Sequence, residues 1–264
     1  MQKLLEIKNL KVQFDFEKYF ISAVEDASLE VNENEIVGLA GESGSGKTIT
    51  AFSITRILPA KAKIISGEIF FRNQNLLEAS EEALRSIRGK EIAYIFQEPV
   101  AYLNPVMTVG DQIMEAVILH QFQDKTKAKD YVMELLGLVK IPQPQERFYA
   151  YPHQLSGGMN QRIMLAMSLA CKPSLLIADE PTTALDVTIE AAILDLLLEL
   201  KAEFQFSILF ITHNLSILHR IADRIYIMHK GKTVESASKD DIFSNPKHPH
   251  TQELINAYLK VSEV

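Results

Sequence analysis

Residues 36–48 carry the strongest fold signal in this chain: Ile36-Val37-Gly38-Leu39-Ala40, then Gly41-Glu42-Ser43-Gly44-Ser45-Gly46-Lys47-Thr48. The first five residues form a short apolar run typical of a buried strand. The next eight fit the pattern G-x-x-x-x-G-K-[ST], whose glycines let successive backbone N–H groups point at phosphate oxygens. Lys47 is expected to reach the β- and γ-phosphates of a nucleotide, and the Thr48 hydroxyl to bind Mg²⁺. The sequence therefore predicts that residues 41–48 hold a nucleotide.

Apolar and helical segments alternate on both sides of this loop. Residues 4–16 and 27–31 alternate apolar and polar side chains as half-buried strands do, whereas 175–178 and 208–211 are continuously apolar. Further strands are predicted at 68–71 and 92–96, and helices at 48–58, 109–120, 127–138, 161–170 and 189–203. This order predicts an α/β fold with a mainly parallel sheet, interrupted by a helical stretch between about residues 99 and 155.

The composition narrows the class of protein. The chain has 264 residues, of which 47% are hydrophobic, and a net charge of −7, which gives no electrostatic support for a nucleic-acid partner. Its single cysteine, Cys171, excludes an internal disulfide and is expected to be a small buried residue. No apolar run approaches the roughly 18 residues that cross a bilayer. The first residues soon become charged, unlike a signal peptide, so a cytoplasmic protein is expected.

Several further motifs follow the loop in a fixed order. Asp179 and Glu180 end an apolar run, at the strand edge where α/β proteins bind ligands. A Ser-Gly-Gly turn at the head of a helix offers a second anion site, too far along the chain to belong to the first, although it would also serve as a helix cap. The ordered set is Gln97-Glu98-Pro99, Leu155-Ser156-Gly157-Gly158-Met159-Asn160-Gln161, Asp179-Glu180, Leu185-Asp186 and His213. From about residue 4 to its end, the chain resembles the ATP-binding-cassette (ABC) ATPases.

The resemblance implies roles for the residues that follow the strands. Glu180 is expected to be the general base that polarises the attacking water, and Asp179 to hold Mg²⁺ through water. His213 is expected to contact the γ-phosphate. Gln97 is expected to touch Mg²⁺ or the attacking water.

The resemblance also implies contacts made between two subunits. Ser156, Gly157, Gly158 and Gln161 are expected to bind the ATP held by a partner subunit, and Leu185-Asp186 to contact that subunit. Family members stack an aromatic ring on adenine. Tyr19 is the candidate preferred here, because Phe14 and Phe16 alternate as core residues do.

In fold terms, the resemblance implies a P-loop NTPase of the RecA-like type, with an antiparallel β part and an inserted helical subdomain. The chain is then one ATPase domain, divided into a nucleotide-binding core at 1–97 and 168–243, a helical signature subdomain at 98–167 and a tail at 244–264.

Within this family, the segment Gln97-Glu98-Pro99-Val100-Ala101-Tyr102-Leu103-Asn104-Pro105 is similar to that of peptide and nickel importers. The resemblance implies a subunit that binds and hydrolyses ATP to drive import of peptides or nickel, closing as an ATP-sandwich dimer. Its implied partners are membrane subunits, a second ATPase subunit (a paralogue or a second copy) and, indirectly, an external solute-binding protein. The implied location is the cytoplasmic face of the inner membrane.

Other classes of P-loop protein fit less well. A chromosome-maintenance ATPase would carry long heptad arms in place of the helical insert, and a translation-associated ABC protein would carry two cassettes and a basic linker. A P-loop kinase would lack the Ser-Gly-Gly turn and His213. An ABC ATPase that works outside transport remains the alternative function.

Two hypotheses concern surfaces. Residues 97–104 are expected to bind a helix of a membrane subunit through exposed Val100, Tyr102 and Leu103. His248 and His250 have the spacing of a metal-binding pair, but docking of the tail onto the core is favoured, since few further ligands lie nearby in the sequence.

Overall fold

The computed structural model describes residues 2–17, 19–97, 99–122, 124–183 and 185–262, with the side chains of 99, 100, 261 and 262 left out. The elements in chain order are β1 Lys3–Asp15, β2 Phe20–Asn32, β3 Ile36–Ala40, α1 Lys47–Ile54, β4 Ala62–Phe71, β5 Gln74–Asn75, α2 Glu81–Ile87, β6 Ile92–Ile95, α3 Pro99–Tyr102, α4 Val109–His120, α5 Lys125–Leu138, α6 Pro144–Arg147, α7 Gly157–Leu169, β7 Leu175–Asp179, α8 Val187–Phe204, β8 Ser207–Thr212, α9 Leu215–Ile221, β9 Arg224–His229, β10 Lys232–Ser238, α10 Lys239–Ser244 and α11 Pro249–Ser262.

The chain forms two compact units, Met1–Arg85 with Ser207–Val264, and Ser86–Phe206. In the first unit the strands lie in the order β5-β4-β1-β2-β10-β9-β3-β8. The β1 strand pairs antiparallel with β2 and β4, whereas β3 pairs parallel with β8 and β9. All residues of β3 and β8 are buried, which explains their continuous apolar sequences.

A charged cluster joins the antiparallel strands of the first unit to its parallel strands. The Arg224 guanidinium donates to both carboxylate oxygens of Glu35, from Nε at 2.9 Å and Nη2 at 2.8 Å, and to Glu30 Oε1 from Nη1 at 2.8 Å. Hydrogen bonds from Lys3 and then Arg224 hold the pKa of the Glu30 carboxyl below its usual range. The fork of Arg224 therefore orients β2, β3 and β9 through charge-assisted bonds.

The hairpin of β9 and β10 supports the phosphate loop. Its turn has Lys230 at φ 47° and Gly231 at φ 78°, the positive values of a tight two-residue hairpin. The Gly231 N–H donates to the Ser45 carbonyl at 3.0 Å, and the Gly231 carbonyl accepts from Glu25 N–H at 2.7 Å. The hairpin tip therefore fixes one part of the loop 41–48 within the first unit.

The second unit consists of a short parallel strand pair and helices. The strands β6 and β7 pair in parallel register, with Ile95 opposite Ala178. Five of the helices, α3 to α7, lie between β6 and β7 in the chain, and α8 follows β7. Cys171 is buried in this unit and burial raises its pKa to about 11, so the expectation of a small buried residue is confirmed. Among the described residues, no helix combines the length and apolar character required to cross a membrane.

The predicted α/β class is confirmed, and most element predictions agree with the structure. The prediction of α4 is correct to the residue. The α1 helix ends at Ile54 rather than near residue 58, because Arg56 adopts φ 57° and Ile57 N–H donates back to Phe52 O at 3.0 Å. That turn usually uses glycine, so its sequence signal is missing here. The β9–β10 hairpin is an element that the sequence patterns did not predict.

Candidate functional site

The phosphate loop begins directly after the buried strand β3 and ends in α1. Gly46 precedes α1 with φ 102°, and a Cβ there would lie 2.5 Å from the Ala23 carbonyl oxygen, so only glycine fits. Because glycine has no side chain to cap the helix, the N–H groups of the first turn of α1 are placed for an anionic ligand. This arrangement provides positive helix-end charge beside the loop.

Lys47 is held against the same loop. Its side chain is buried, and Nζ donates to the carbonyl oxygens of Gly41 at 2.8 Å and Glu42 at 2.9 Å. Ser45 is also buried, and its hydroxyl has no hydrogen-bond partner among the described residues. The loop thus presents a cation and a hydroxyl in a partly closed backbone cradle, which suits phosphate chemistry.

His213 lies at the same sheet edge as the phosphate loop. The parallel register places Ala40 opposite Thr212, so Gly41 and His213 leave neighbouring strands at their carboxyl ends. His213 is exposed, and the next residue, Asn214, caps α9 by accepting from Ser216 N–H. The first unit therefore brings together two of the predicted elements, the loop and the histidine.

Tyr19 is exposed in a row of aromatic rings. It stacks on Phe16 with ring centroids 5.3 Å apart, and Phe16 stacks on Phe14 at 6.2 Å. Phe14 and Phe16 are only half-buried, so the expectation that they are core residues is wrong. Tyr19 stays the predicted adenine contact because it presents the most exposed ring of the three.

The predicted carboxylates meet Gln97 in the second unit. Asp179 ends β7 and is buried, and Glu180 follows it. Because β6 and β7 are parallel, Gln97 leaves the sheet beside Glu180, and its Nε2 donates to Glu180 Oε2 at 3.3 Å. Thr183 Oγ1 donates to the same oxygen at 3.0 Å. No signal in the sequence indicated this contact, and Thr183 was not among the predicted site residues.

The backbone of Glu180 is strained. Its φ of 46° lies in the left-handed region, which glutamate rarely adopts. Such conformations cost on the order of 1–3 kcal/mol and occur often at functional sites. The strain, together with the Gln97 and Thr183 contacts, fixes the direction of the Glu180 carboxylate.

The Ser-Gly-Gly turn forms the start of α7. The Ser156 hydroxyl accepts from Met159 N–H at 3.3 Å and so caps the helix. Gly157 is exposed, and a Cβ built on it meets nothing within 4 Å. Gly158 is tighter, with Ile189 Cγ2 3.1 Å from a Cβ position. The turn therefore acts as a cap and also leaves space beside its first helical N–H groups.

Two residues of this turn point inward. Asn160 is buried, and its Nδ2 donates to the Pro152 carbonyl at 3.0 Å. Gln161, predicted to contact nucleotide, is 2% exposed. In this conformation its side chain presents no surface to a ligand, and its role stays a prediction.

A phosphate loop and a strand-end carboxylate pair define the class of P-loop NTPases. Within that class, the Ser-Gly-Gly turn is typical of the ABC ATPases. A family model described as ABC transporter matches residues 24–183. The chain belongs to this family, as an ATP-binding subunit that hydrolyses ATP to energise transport. The family resemblance seen in the sequence is confirmed, and an ABC ATPase working outside transport is not favoured.

The similar curated proteins are named for peptide transport. Dipeptide transport ATP-binding proteins DppD of Haemophilus influenzae and Bacillus subtilis are 46% and 45% identical, over 98% and 97% of this chain and 79% and 77% of theirs. A probable peptide ABC transporter ATP-binding protein of Sinorhizobium fredii is 47% identical over 96% of this chain and 76% of its own.

Solved structures show the same fold. Two dimeric structures of a bacterial-type ATP-binding cassette, one in a post-hydrolysis state with bound ADP and phosphate, match with a TM-score of 0.79 at 25% and 26% identity. Each covers 89% of this chain and 99% of the solved chain. These neighbours support nucleotide binding by the fold.

Proposed function

We propose that this chain is the ATP-hydrolysing subunit of a peptide importer, bound to membrane subunits at the cytoplasmic face of the membrane. The observation that carries this proposal is the similarity of 45–47% over nearly the whole chain to ATP-binding proteins named for peptide and dipeptide transport. Nickel, the other solute expected for this branch, appears in none of those names. The proposed class of solute is therefore a short peptide.

Each unit contains residues with a proposed role in nucleotide binding or hydrolysis. In the first, residues 41–48 hold the phosphates, Tyr19 stacks on adenine, and His213 contacts the γ-phosphate. In the second, Glu180 accepts a proton from the attacking water, with its carboxylate directed by Gln97 and Thr183. A carboxylate held from two sides by donors keeps one orientation toward the water, which favours in-line attack.

A magnesium ion is the proposed metal partner of the nucleotide. The Thr48 hydroxyl, the Asp179 carboxylate and the Gln97 amide oxygen are the proposed ligands, and all three are the hard oxygen donors that Mg²⁺ prefers. When bound, the ion would neutralise phosphate charge. Asp179 is buried, so a cation nearby would offset the cost of its burial.

The Ser-Gly-Gly turn is proposed to act on the nucleotide of a second ATPase subunit. The space beside Gly157 and the N-terminal end of the 13-residue helix α7 suit a γ-phosphate approaching from outside the chain. The dimeric cassettes with the same fold support a two-subunit arrangement. Whether the partner is a paralogue or a second copy does not alter this role.

The solute class is tested by transport. The chain is assembled with its cognate membrane subunits and solute-binding protein in liposomes, with the ATPase side facing the ATP. Labelled dipeptide is expected to be transported in an ATP-dependent manner, while labelled Ni²⁺ is not. A complex carrying Lys47→Ala is the control for leakage. Transport of Ni²⁺ without transport of peptide would contradict the proposed solute.

An apolar groove in the second unit is the proposed docking site for a membrane subunit. The groove has a volume of about 420 Å³ and is lined by residues that include Phe96, Tyr102 and Leu119. Phe96 stacks on Tyr102 with ring centroids 4.2 Å apart, and Leu119 is 73% exposed. Exposed aromatic and aliphatic side chains around a groove suit the apolar face of a partner helix.

The groove differs from the docking surface expected at residues 97–104. Tyr102 is exposed and lines it, as expected. The expectation for Leu103 is wrong, since that side chain is buried and only 1% exposed. The side chain of Val100 lies outside the described residues. Leu119, on α4, was not expected because the prediction considered only residues 97–104.

A cysteine at the groove rim tests this docking. Cys171 is buried, so Leu119→Cys introduces an accessible thiol, and a short thiol crosslinker is expected to join it to a membrane subunit in the assembled transporter. Lys127→Cys, on the exposed part of α5 and outside the groove lining, is the matched control and should give no such product. Equal yields from both positions, or none from Leu119→Cys, would contradict the proposed dock.

A further inference from the structure

Three metal-ligating side chains from distant segments meet in the first unit. Glu42 belongs to the phosphate loop, His229 ends β9, and His250 lies in the first turn of α11. One ligand atom from each lies within 4.8 Å of the other two. The two imidazole rings are close, with centroids 3.7 Å apart. The β9–β10 hairpin brings His229 to this position, since its tip is bonded to the loop at Ser45.

His250 is the most informative member of the cluster. Its side chain is 7% exposed, and its Nε2 has no hydrogen-bond partner among the described residues. A buried nitrogen atom without a hydrogen-bond partner destabilises a fold. A ligand bound to His250 Nε2 would remove that cost. The other ring nitrogen, Nδ1, lies 3.8 Å from Glu253 Oε2. A carboxylate next to the second nitrogen is the usual companion of a metal-bound histidine.

The three side chains, two imidazoles and one carboxylate, form a donor set of intermediate softness. Such sets suit Zn²⁺ and related transition ions, whereas Mg²⁺ prefers oxygen ligands alone.

We propose that Glu42, His229 and His250 form a binding site for a divalent transition metal of the zinc class. The three ligands leave a fourth position for water, and small side-chain adjustments would bring donor atoms to the usual bond lengths of about 2.0–2.2 Å. None of the three is a proposed Mg²⁺ ligand, although Glu42 belongs to the loop that is proposed to hold the phosphates. An ion bound here connects the phosphate loop to the start of α11.

The site differs from the histidine pair that the sequence suggested. His248 Nδ1 accepts from the backbone N–H of His250 at 3.2 Å, and the backbone N–H of His248 donates to Glu235 Oε2 at 2.9 Å. These bonds fix the entry to α11, in line with the favoured docking role of the tail. The histidine that joins His250 in the cluster is therefore His229, which lies 21 positions earlier in the chain, and not the neighbouring His248.

The test is metal binding by the tag-free, metal-stripped full chain without nucleotide, because ATP itself chelates zinc. Calorimetry is expected to show one Zn²⁺ per chain with micromolar or tighter affinity, and bound Co²⁺ to give the visible absorption of nitrogen-ligated cobalt. His229→Gln and His250→Gln should each weaken Zn²⁺ binding at least about tenfold. His248→Gln should bind as the wild type does, and the exposed His153→Gln controls for surface histidines.

Thermal melting accompanies each titration, since replacing buried His250 could disturb the fold. His229 is only half-buried, so the Zn²⁺ affinity of His229→Gln tests the proposal if His250→Gln is unstable. Three results overturn the proposal: no Zn²⁺ binding below the millimolar range, undiminished binding by folded His229→Gln, or a loss of binding in His248→Gln equal to that in His229→Gln.

Discussion

Replacing Lys47 with alanine is expected to lower the ATPase rate about a thousandfold, which corresponds to roughly 4 kcal/mol of transition-state stabilisation. The ammonium group is buried in the phosphate loop, where it donates to the carbonyl oxygens of Gly41 and Glu42. A phosphate entering the loop would replace or share these contacts, and alanine supplies neither charge nor donor. Nucleotide affinity should fall as well, because the lysine contacts ground-state phosphates.

The measurement is the steady-state ATPase rate of the assembled transporter, together with binding of a fluorescent ATP analogue. Lys260→Ala, which removes an exposed lysine from α11, is the matched control and should behave as the wild type. A melting temperature near that of the wild type would separate loss of chemistry from loss of fold. Wild-type affinity and rate in Lys47→Ala would show that the loop does not hold the phosphates.

Glu180→Gln is expected to retain ATP binding while hydrolysis falls by about 10²–10⁴-fold. Glutamine has nearly the same size and its amide oxygen can still accept from Thr183 and Gln97, so the geometry of the turn should survive. What it lacks is the basic carboxylate that takes the proton of the attacking water. The expected signature is a lower kcat with little change in nucleotide affinity.

Single-turnover hydrolysis and equilibrium binding of ATP separate these two effects. Glu199→Gln provides the control, because Glu199 lies on α8 in the same unit and its exposed carboxylate pairs only with Lys140 in the described salt bridges. If Glu180→Gln hydrolysed ATP within a few-fold of the wild-type rate, the general base would have to be another group.

The sequence predicted elements well where the local signals and the tertiary environment agree. The α4 helix begins after Thr108, whose hydroxyl accepts from Asp111 N–H, a cap that is visible as Thr-x-x-Asp. The strands β3, β7 and β8 are buried throughout, and their unbroken apolar runs show it. The motif order along the chain then identified the family, since each motif follows a strand end or opens a helix.

Long-range contacts account for what the sequence did not reveal. Nothing local indicates that Leu103 is buried while Leu119 remains exposed. His250 has His248 two residues away, but its ring meets that of His229, which only the path of the β9–β10 hairpin brings near. The contact of Thr183 with Glu180 depends on a positive φ that glutamate rarely adopts. Such features arise from packing, to which short sequence windows give little access.

The bracing of the phosphate loop has a kinetic consequence. Its backbone is fixed by the Gly231 N–H bond to Ser45 O and by the Lys47 bonds to Gly41 O and Glu42 O. Ordering one flexible residue costs about 1–2 kcal/mol in conformational entropy. Because this loop is already ordered, nucleotide binding does not incur that cost, and the affinity for nucleotide is correspondingly higher. Nucleotide can then exchange at a rate set by diffusion and charge, without waiting for a disordered loop to fold around it.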